Sequence, residues 1–243
     1  MMKCIISCEH ASNRVPPRFA HVFAGREKIL SSHQAYDAGA ANLARRLGRH
    51  FRSSPYLGSI SRLLIDLNRS PTNKKSLYTP YSRKLEANER VLLLQKFYQP
   101  YREKVAEEIG RIVGKDRPVL HISLHSFSPV KGGKVRKADI GLLYDPDRTI
   151  EKDICRFLVR LLKEKTVTVR VRRNYPYLGK TDGFVSFLRG KYPARLYAGI
   201  EIELNQAFLS SGNKEKRQVE DILTEGIRAI LKCNDFSQLS KVL

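Results

Sequence analysis

Val119-Leu120-His121-Ile122-Ser123-Leu124-His125-Ser126-Phe127 is the stretch whose reading decides the fold. It reads as a buried strand that ends on a histidine and runs into small, turn-forming residues. A neutral imidazole at the carboxyl end of a strand can hold a metal at the mouth of an open α/β sheet. Such a histidine can equally be a satisfied core residue, and His121, four residues back on the same face, is read that way. What favours a ligand role for His125 is its company. Ile5-Ile6-Ser7-Cys8-Glu9-His10 is a second apolar run ending on a histidine, and Ile200-Glu201-Ile202-Glu203-Leu204-Asn205 places carboxylates in a third strand.

Working outward, Ile60–Leu67, Asp139–Tyr144, Val167–Arg172 and Tyr197–Leu204 also read as strands, short and bounded by turn formers. Stretches of helical period lie between them: Ala35–Phe51, Leu85–Val113, Ile150–Leu162 and Glu215–Leu231. Strands alternating with helices of this length predict an α/β sandwich, with helices on both faces of a mixed, mostly parallel sheet. No repeat or internal boundary interrupts residues 1–243, so the expectation is one catalytic domain.

Composition limits the function classes. No apolar run approaches the roughly 20 residues that span a bilayer, and the N-terminus lacks the pattern of a signal peptide, so a cytoplasmic protein is expected. Four scattered cysteines form neither a disulfide framework nor a zinc-finger spacing, and read as core thiols. Forty-five Lys and Arg against 24 Asp and Glu leave a net charge of +21. That field attracts anions, but its densest groups (Lys131–Lys137, Arg170–Arg173, Lys214–Arg217) lack interleaved aromatics and match no nucleic-acid motif. A solvated basic surface is the simpler reading, and a nucleic-acid partner is not expected.

A hydrolytic metal site needs about three protein ligands, an open position and a nearby base. His10 and His125 each follow a strand and precede a turn. Asp37 is the third candidate, at the start of the first long helix, where an acid also suits the helix dipole. Glu9 and Asn13 flank His10 and can replace Asp37 or stand behind the ligands, and His33 is a weaker competitor. Glu201 and Glu203 face one side of a strand, and Glu203, nearer its exit, is the candidate general base. Arg62 and Arg69, with Asn68, flank an apolar run, and guanidinium suits a carboxylate or a polarised carbonyl. The turn-rich loop Asn174–Gly183 is where binding groups sit on such scaffolds, with Asn174 and Tyr177 as candidates for substrate contact.

Several of these pieces, taken in order, resemble the N-formylglutamate amidohydrolase family: Ser7-Cys-Glu-His-Ala-Ser-Asn-Arg-Val-Pro16, Tyr36-Asp-Ala-Gly39, Asp66-Leu-Asn-Arg69, Leu124-His-Ser-Phe127, Glu203-Leu-Asn205 and the Asn174–Gly183 loop. The resemblance extends to zinc carboxypeptidases and aspartoacylases and covers residues 4 to about 206. It implies a phosphorylase/hydrolase-like α/β/α fold and one zinc ion per chain on His10 and His125. It implies Glu203 as general base, Asn68 and Arg69 on the substrate carboxylate, and Arg62 on the scissile carbonyl. Those relatives carry a glutamate ligand three residues after the first histidine, and here that position is Asn13. Asp37 is therefore the first choice for the remaining ligand, with Glu9 and Asn13 still open. The activity implied is zinc-dependent hydrolysis of N-formyl-L-glutamate or a similar short N-acyl amino acid. The alternatives are a carboxypeptidase- or aspartoacylase-like hydrolase with another substrate, and a basic polyanion-binding protein on a degenerate hydrolase fold.

Overall fold

In chain order the strands are β1 (Lys3–Cys8), β2 (Tyr56–Leu57), β3 (Val119–Phe127), β4 (Val130–Lys131), β5 (Lys134–Val135), β6 (Ile140–Leu143), β7 (Val171–Arg173) and β8 (Tyr197–Asn205). The helices are α1 (Ala40–Phe51), α2 (Lys74–Leu77), α3 (Ala87–Leu93), α4 (Gln99–Val113), α5 (Thr149–Lys165), α6 (Phe184–Lys191), α7 (Gln206–Ser210) and α8 (Asn213–Leu231). This computed structural model describes residues 1–210 and 213–241.

Six strands form one sheet in the order β2-β1-β3-β8-β6-β7, and β4 and β5 form a separate hairpin. From β2 to β8 the strands are parallel, and β6 is antiparallel to β8. The sheet is thus mixed and mostly parallel, as the alternation of elements predicts. The chain goes from β1 to β2 on one side, then returns to β3 on the other. That reversal opens a crevice at the carboxyl ends of β1 and β3, where open α/β sheets bind ligands.

The two faces of the sheet differ in chemistry. Alternate residues Cys4, Ile6 and Cys8, Leu120, Ile122 and Leu124, and Ile200, Ile202 and Leu204 point to one face. There they join Leu43 and Leu47 of α1, Ile154 and Leu158 of α5, and Leu223 and Ile227 of α8 in one core cluster. On the other face Ile5, Val119 and Tyr197 pack against Val105 and Ile109 of α4 and Phe184 and Leu188 of α6. Toward the carboxyl ends this second face becomes polar: Ser7, Ser123, His125, Glu201 and Glu203 are all buried. All four cysteines are buried thiols, and burial pushes Cys4 up to about 12, consistent with core packing. Among the described residues no helix is long and apolar enough to cross a membrane.

Several boundaries depart from the sequence reading. Ile60–Leu67 is a chain of turns, not a strand. Its apolar side chains enter a second cluster with Phe19, Phe23, Leu77, Leu85, Leu93 and Tyr98. Its backbone is satisfied by local and cross-loop bonds, such as Leu64 N–H to Ser61 C=O and Asp66 N–H to Leu77 C=O, so no ladder is needed. The segment before it contributes Phe19 and Phe23 from a 3-10 turn, Pro17–Phe23. Helix α1 starts at Ala40 rather than Ala35, because Gly39 stands at φ +82° and interrupts the helical backbone. The long helix expected over Leu85–Val113 is split by a π turn at Leu94–Tyr98. Pro100, with no N–H to offer the preceding turn, stands at the start of α4. The edge strand is Val171–Arg173, and Val167 is fully exposed. Helix α6, set by Phe184, Val185 and Leu188, has no counterpart in the sequence reading.

Candidate active site

Parallel pairing brings the functional ends of three strands to one edge. β1 delivers Glu9 and His10 just past its last residue. β3 and β8 are in register with His125 beside Glu203 and Ser123 beside Glu201. Asp37 arrives from the turn before α1, its N–H donating to the His10 carbonyl at 2.9 Å. It therefore does not sit in the first helical turn. The short backbone tie to His10, not the helix, places its carboxylate.

His10, Asp37 and His125 are all buried, with one donor atom of each lying within 4.8 Å of the others. The Nδ1 atoms of both imidazoles converge on Asp37 Oδ2, at 3.4 Å from His10 and 2.9 Å from His125. Their other nitrogens face buried carboxylates. His10 Nε2 lies 2.6 Å from Asp66 Oδ1, and His125 Nε2 lies 3.1 Å from Glu9 Oε2. A carboxylate behind each ring fixes its tautomer and orientation and raises its basicity, the usual support of metal-ligating histidine. Two neutral imidazole nitrogens and a carboxylate oxygen are the donor types of a hydrolytic zinc centre. The residues present thus fit such an ion.

The sequence had left Glu9 and Asn13 as alternatives to Asp37. Glu9 instead lies behind His125, where it also accepts from Ser123 Oγ at 2.6 Å and Tyr101 Oη at 3.0 Å. Asn13 is exposed and donates Nδ2 to the Leu30 carbonyl. His33 is exposed and outside the cluster. The residue the sequence reading missed is Asp66, quoted only as part of a motif. Its carboxylate accepts from His10, from Arg62 Nη2 at 3.0 Å and from the Asn68 N–H at 2.9 Å. Burial alone would raise it, but His10 and the Arg62 guanidinium beside it hold it well below the usual carboxylate range. Burial likewise opposes ionisation of Asp37 and Glu9, and the histidines beside them outweigh it, so both stay low.

Glu203 behaves differently. It is 5% exposed, and its Oε2 has no hydrogen-bond partner among the described residues. Burial pushes its carboxyl up to about 7, with His125 opposing the rise and Asp37 and Glu201 adding to it. Glu201 is raised in the same way. Gly141 lies opposite Glu203 in β6, where a Cβ would come within 1.7 Å of the Tyr175 carbonyl and 3.3 Å of Glu203 Cβ. Only glycine lets the Asn174–Gly183 loop lie this close to the strand.

These groups line one cavity of about 210 Å³, with Arg62, Asn68, Arg69, Tyr177 and Asp182 among its walls. Arg62 bridges Asp66 and Asp37 at 3.0 and 3.4 Å. Asn68 Oδ1 accepts from the Phe184 N–H at 2.7 Å, leaving Nδ2 as its free donor. The Arg69 guanidinium donates to the Asp182 carbonyl, and the Arg69 carbonyl accepts from Tyr98 Oη at 2.6 Å. Of the two loop candidates, only Tyr177 reaches the cavity. Asn174 stands at φ +48° and spends Oδ1 on the N–H groups of Tyr144 and Gly179, closing the loop instead of lining the site.

Fold and site together define an α/β protein with helices on both faces of a mixed sheet, carrying a His/Asp/His cluster and a buried glutamate at the carboxyl edge of that sheet. Residues 2–210 match the family described as N-formylglutamate amidohydrolase, and the chain belongs to that family. A crystal structure of a gene product from Agrobacterium tumefaciens is similar over 94% of this chain and 91% of its own, with a TM-score of 0.78 and 26% identity. The N-formylglutamate amidohydrolase of Ralstonia eutropha has the same fold over 94% and 92%, with a TM-score of 0.69 and 18% identity. No curated protein sequence matches the chain. Family membership supports an enzyme that hydrolyses amides.

Proposed function

We propose that the protein hydrolyses the amide bond of N-formyl-L-glutamate, or of a similarly short N-acyl amino acid, with one zinc ion per chain held by His10, Asp37 and His125. The observation that carries this reading is an unpaired, buried Glu203 oxygen sharing a cavity with two carboxylate-backed histidines. A cavity of about 210 Å³ suits a small substrate, since drug-sized ligands occupy roughly 300–1,000 Å³.

A zinc ion in this site supplies Lewis acidity, acidifying a water and polarising an acyl carbonyl. Glu203 Oε2 takes up the water proton and returns it to the departing amine nitrogen. A carboxyl near 7 is matched to both halves of that exchange. Arg62, its position set by Asp66 and Asp37, orients the acyl oxygen and stabilises charge developing there. The Arg69 guanidinium and Asn68 Nδ2 hold the substrate carboxylate and so fix the scissile bond near Glu203.

The test combines formate release from N-formyl-L-glutamate with metal analysis of the purified protein. Glu203→Gln is expected to lower turnover by about 10³-fold while zinc stays near one per chain, in line with the usual contribution of a general base. Turnover retained in that variant sinks the assignment. A panel of formyl-, acetyl- and peptidyl-amino acids separates the related chemistries, and preferred hydrolysis of a peptide would move the reading to a carboxypeptidase.

A further inference from the structure

The basic run Lys131–Lys137 plays no part in the chemistry above, yet it forms part of the cavity. β4 and β5 make a two-residue hairpin whose turn is Gly132-Gly133, at φ +55° and +73°. Both central residues of such a turn need positive φ, which glycine adopts without strain. The hairpin sets Lys131 against the cavity and directly opposite Lys134. Like charges paired across strands repel unless an anion lies between them.

The arginines of the cavity each have an acidic neighbour. Arg62 is bound to Asp37 and Asp66, and Arg69 lies beside Asp66 and the Asp182 carbonyl. Lys131 has no carboxylate partner among the described residues, and its Nζ stands 5.4 Å from the centre of the Tyr177 ring. That ring is held from beside by Arg136, whose guanidinium stacks at 5.2 Å and donates to Tyr177 Oη at 3.2 Å. Arg136 itself reaches the Ser128 carbonyl and, among the described residues, no acid. The wall formed by Lys131 and Tyr177 is therefore positive, and distinct from the Arg69 and Asn68 anchor.

We infer that Lys131 is a specificity-determining residue that binds a second anionic group, the side-chain carboxylate of the substrate's amino acid. This inference rests on the proposed amide hydrolysis at the same site. It selects acidic over neutral side chains, while Arg69 and Asn68 take the α-carboxylate.

The experiment compares kcat/KM on N-formyl-L-glutamate and N-formyl-L-glutamine for the wild type, Lys131→Ala, Lys131→Glu and Lys163→Ala. Lys163 stands in the last turn of α5 and outside the cavity, so its variant removes the same net charge elsewhere. In the wild type the glutamate substrate is preferred. Lys131→Ala narrows the preference about ten-fold, mostly through KM, as expected of a charge-assisted contact weakened by exposure. Lys131→Glu narrows it further, and Lys163→Ala leaves it unchanged. Calorimetry supplies a readout without turnover: wild-type protein binds glutarate more tightly than butyrate, and Lys131→Ala loses the difference. A wild type that turns over both substrates with a ratio indifferent to Lys131 overturns this inference and spares the amide hydrolysis. A wild type that turns over neither overturns both. Equal effects of Lys131→Ala and Lys163→Ala assign the preference to net charge and overturn the inference as well.

Discussion

Leu124 and His125 are neighbours on β3, both buried, and they face opposite sides of the sheet. Leu124 belongs to the apolar core cluster that β1, β3 and β8 share with side chains of α1, α5 and α8. Around His125 lie the carboxyl groups of Asp37, Glu9 and Glu201 and the Ser123 hydroxyl, polar groups taken out of water. One face contributes stability through burial. The other spends stability to hold ionisable groups in fixed relation. The same strand therefore serves as scaffold and as a wall of the candidate site, with a period of two separating the two faces.

The contrast can be broken most forcefully at Glu203. Besides losing about 10³-fold in turnover, metal-free Glu203→Gln is expected to melt higher than wild type at pH 8. A carboxyl raised from 4.5 to about 7 binds its proton more tightly when folded than when unfolded, so its contribution is lost as pH rises from about 4.5 through 7, and the full cost is present at pH 8. A lower melting temperature at pH 8 would mean that Glu203 is paired in solution.

Leu124→Ala probes the opposite face. Leu124 is fully buried, and its truncation should cost about 3 kcal/mol in denaturant unfolding, with kcat per folded molecule unchanged. A loss of kcat beyond the loss of folded protein would join the two faces. Asp66→Asn acts between these extremes. It removes the carboxylate behind His10 and should weaken zinc about 10–100-fold in a chelator competition, the usual cost of such a change. Unchanged affinity would remove His10 from the ligand set.

The smallest effect belongs to His121, on the polar face but deeper. Burial pushes it down to about 4, and it lies between Ser7 Oγ and Tyr197 Oη at 2.8 Å each. The unfolded chain binds a proton near the ordinary histidine value while the folded one does not, so this group's contribution falls as pH drops below about 6.5. Between pH 6.5 and 5 that amounts to about 2 kcal/mol. His121→Gln should flatten the stability profile over this window, and an unaltered slope would place the titration elsewhere.

The sequence made much of the site legible because strand ends carry their residue types openly. His10, His125 and Glu203 each close an apolar run, and parallel pairing aligns those runs at one edge. Ile60–Leu67 misled for a physical reason. Hydrophobicity records burial and not the hydrogen-bond partner, so a run of turns packed into a side cluster reads like a strand. Asp66 was hidden inside that run. Its role depends on contacts with His10, 56 residues earlier, which no local pattern carries. Asn174 had the composition of a binding residue and serves its own loop. Lys131 looked like surface charge until the hairpin brought it to the cavity.

Asp66 has one further consequence. A single carboxylate bonds the His10 imidazole with one oxygen and the Arg62 guanidinium with the other, so the two sides of the cavity share one oxygen pair. Energies measured by removing His10 or Arg62 separately will not add. A double-mutant cycle between them should return a coupling of about 1 kcal/mol or more, the behaviour of residues in one hydrogen-bonded network.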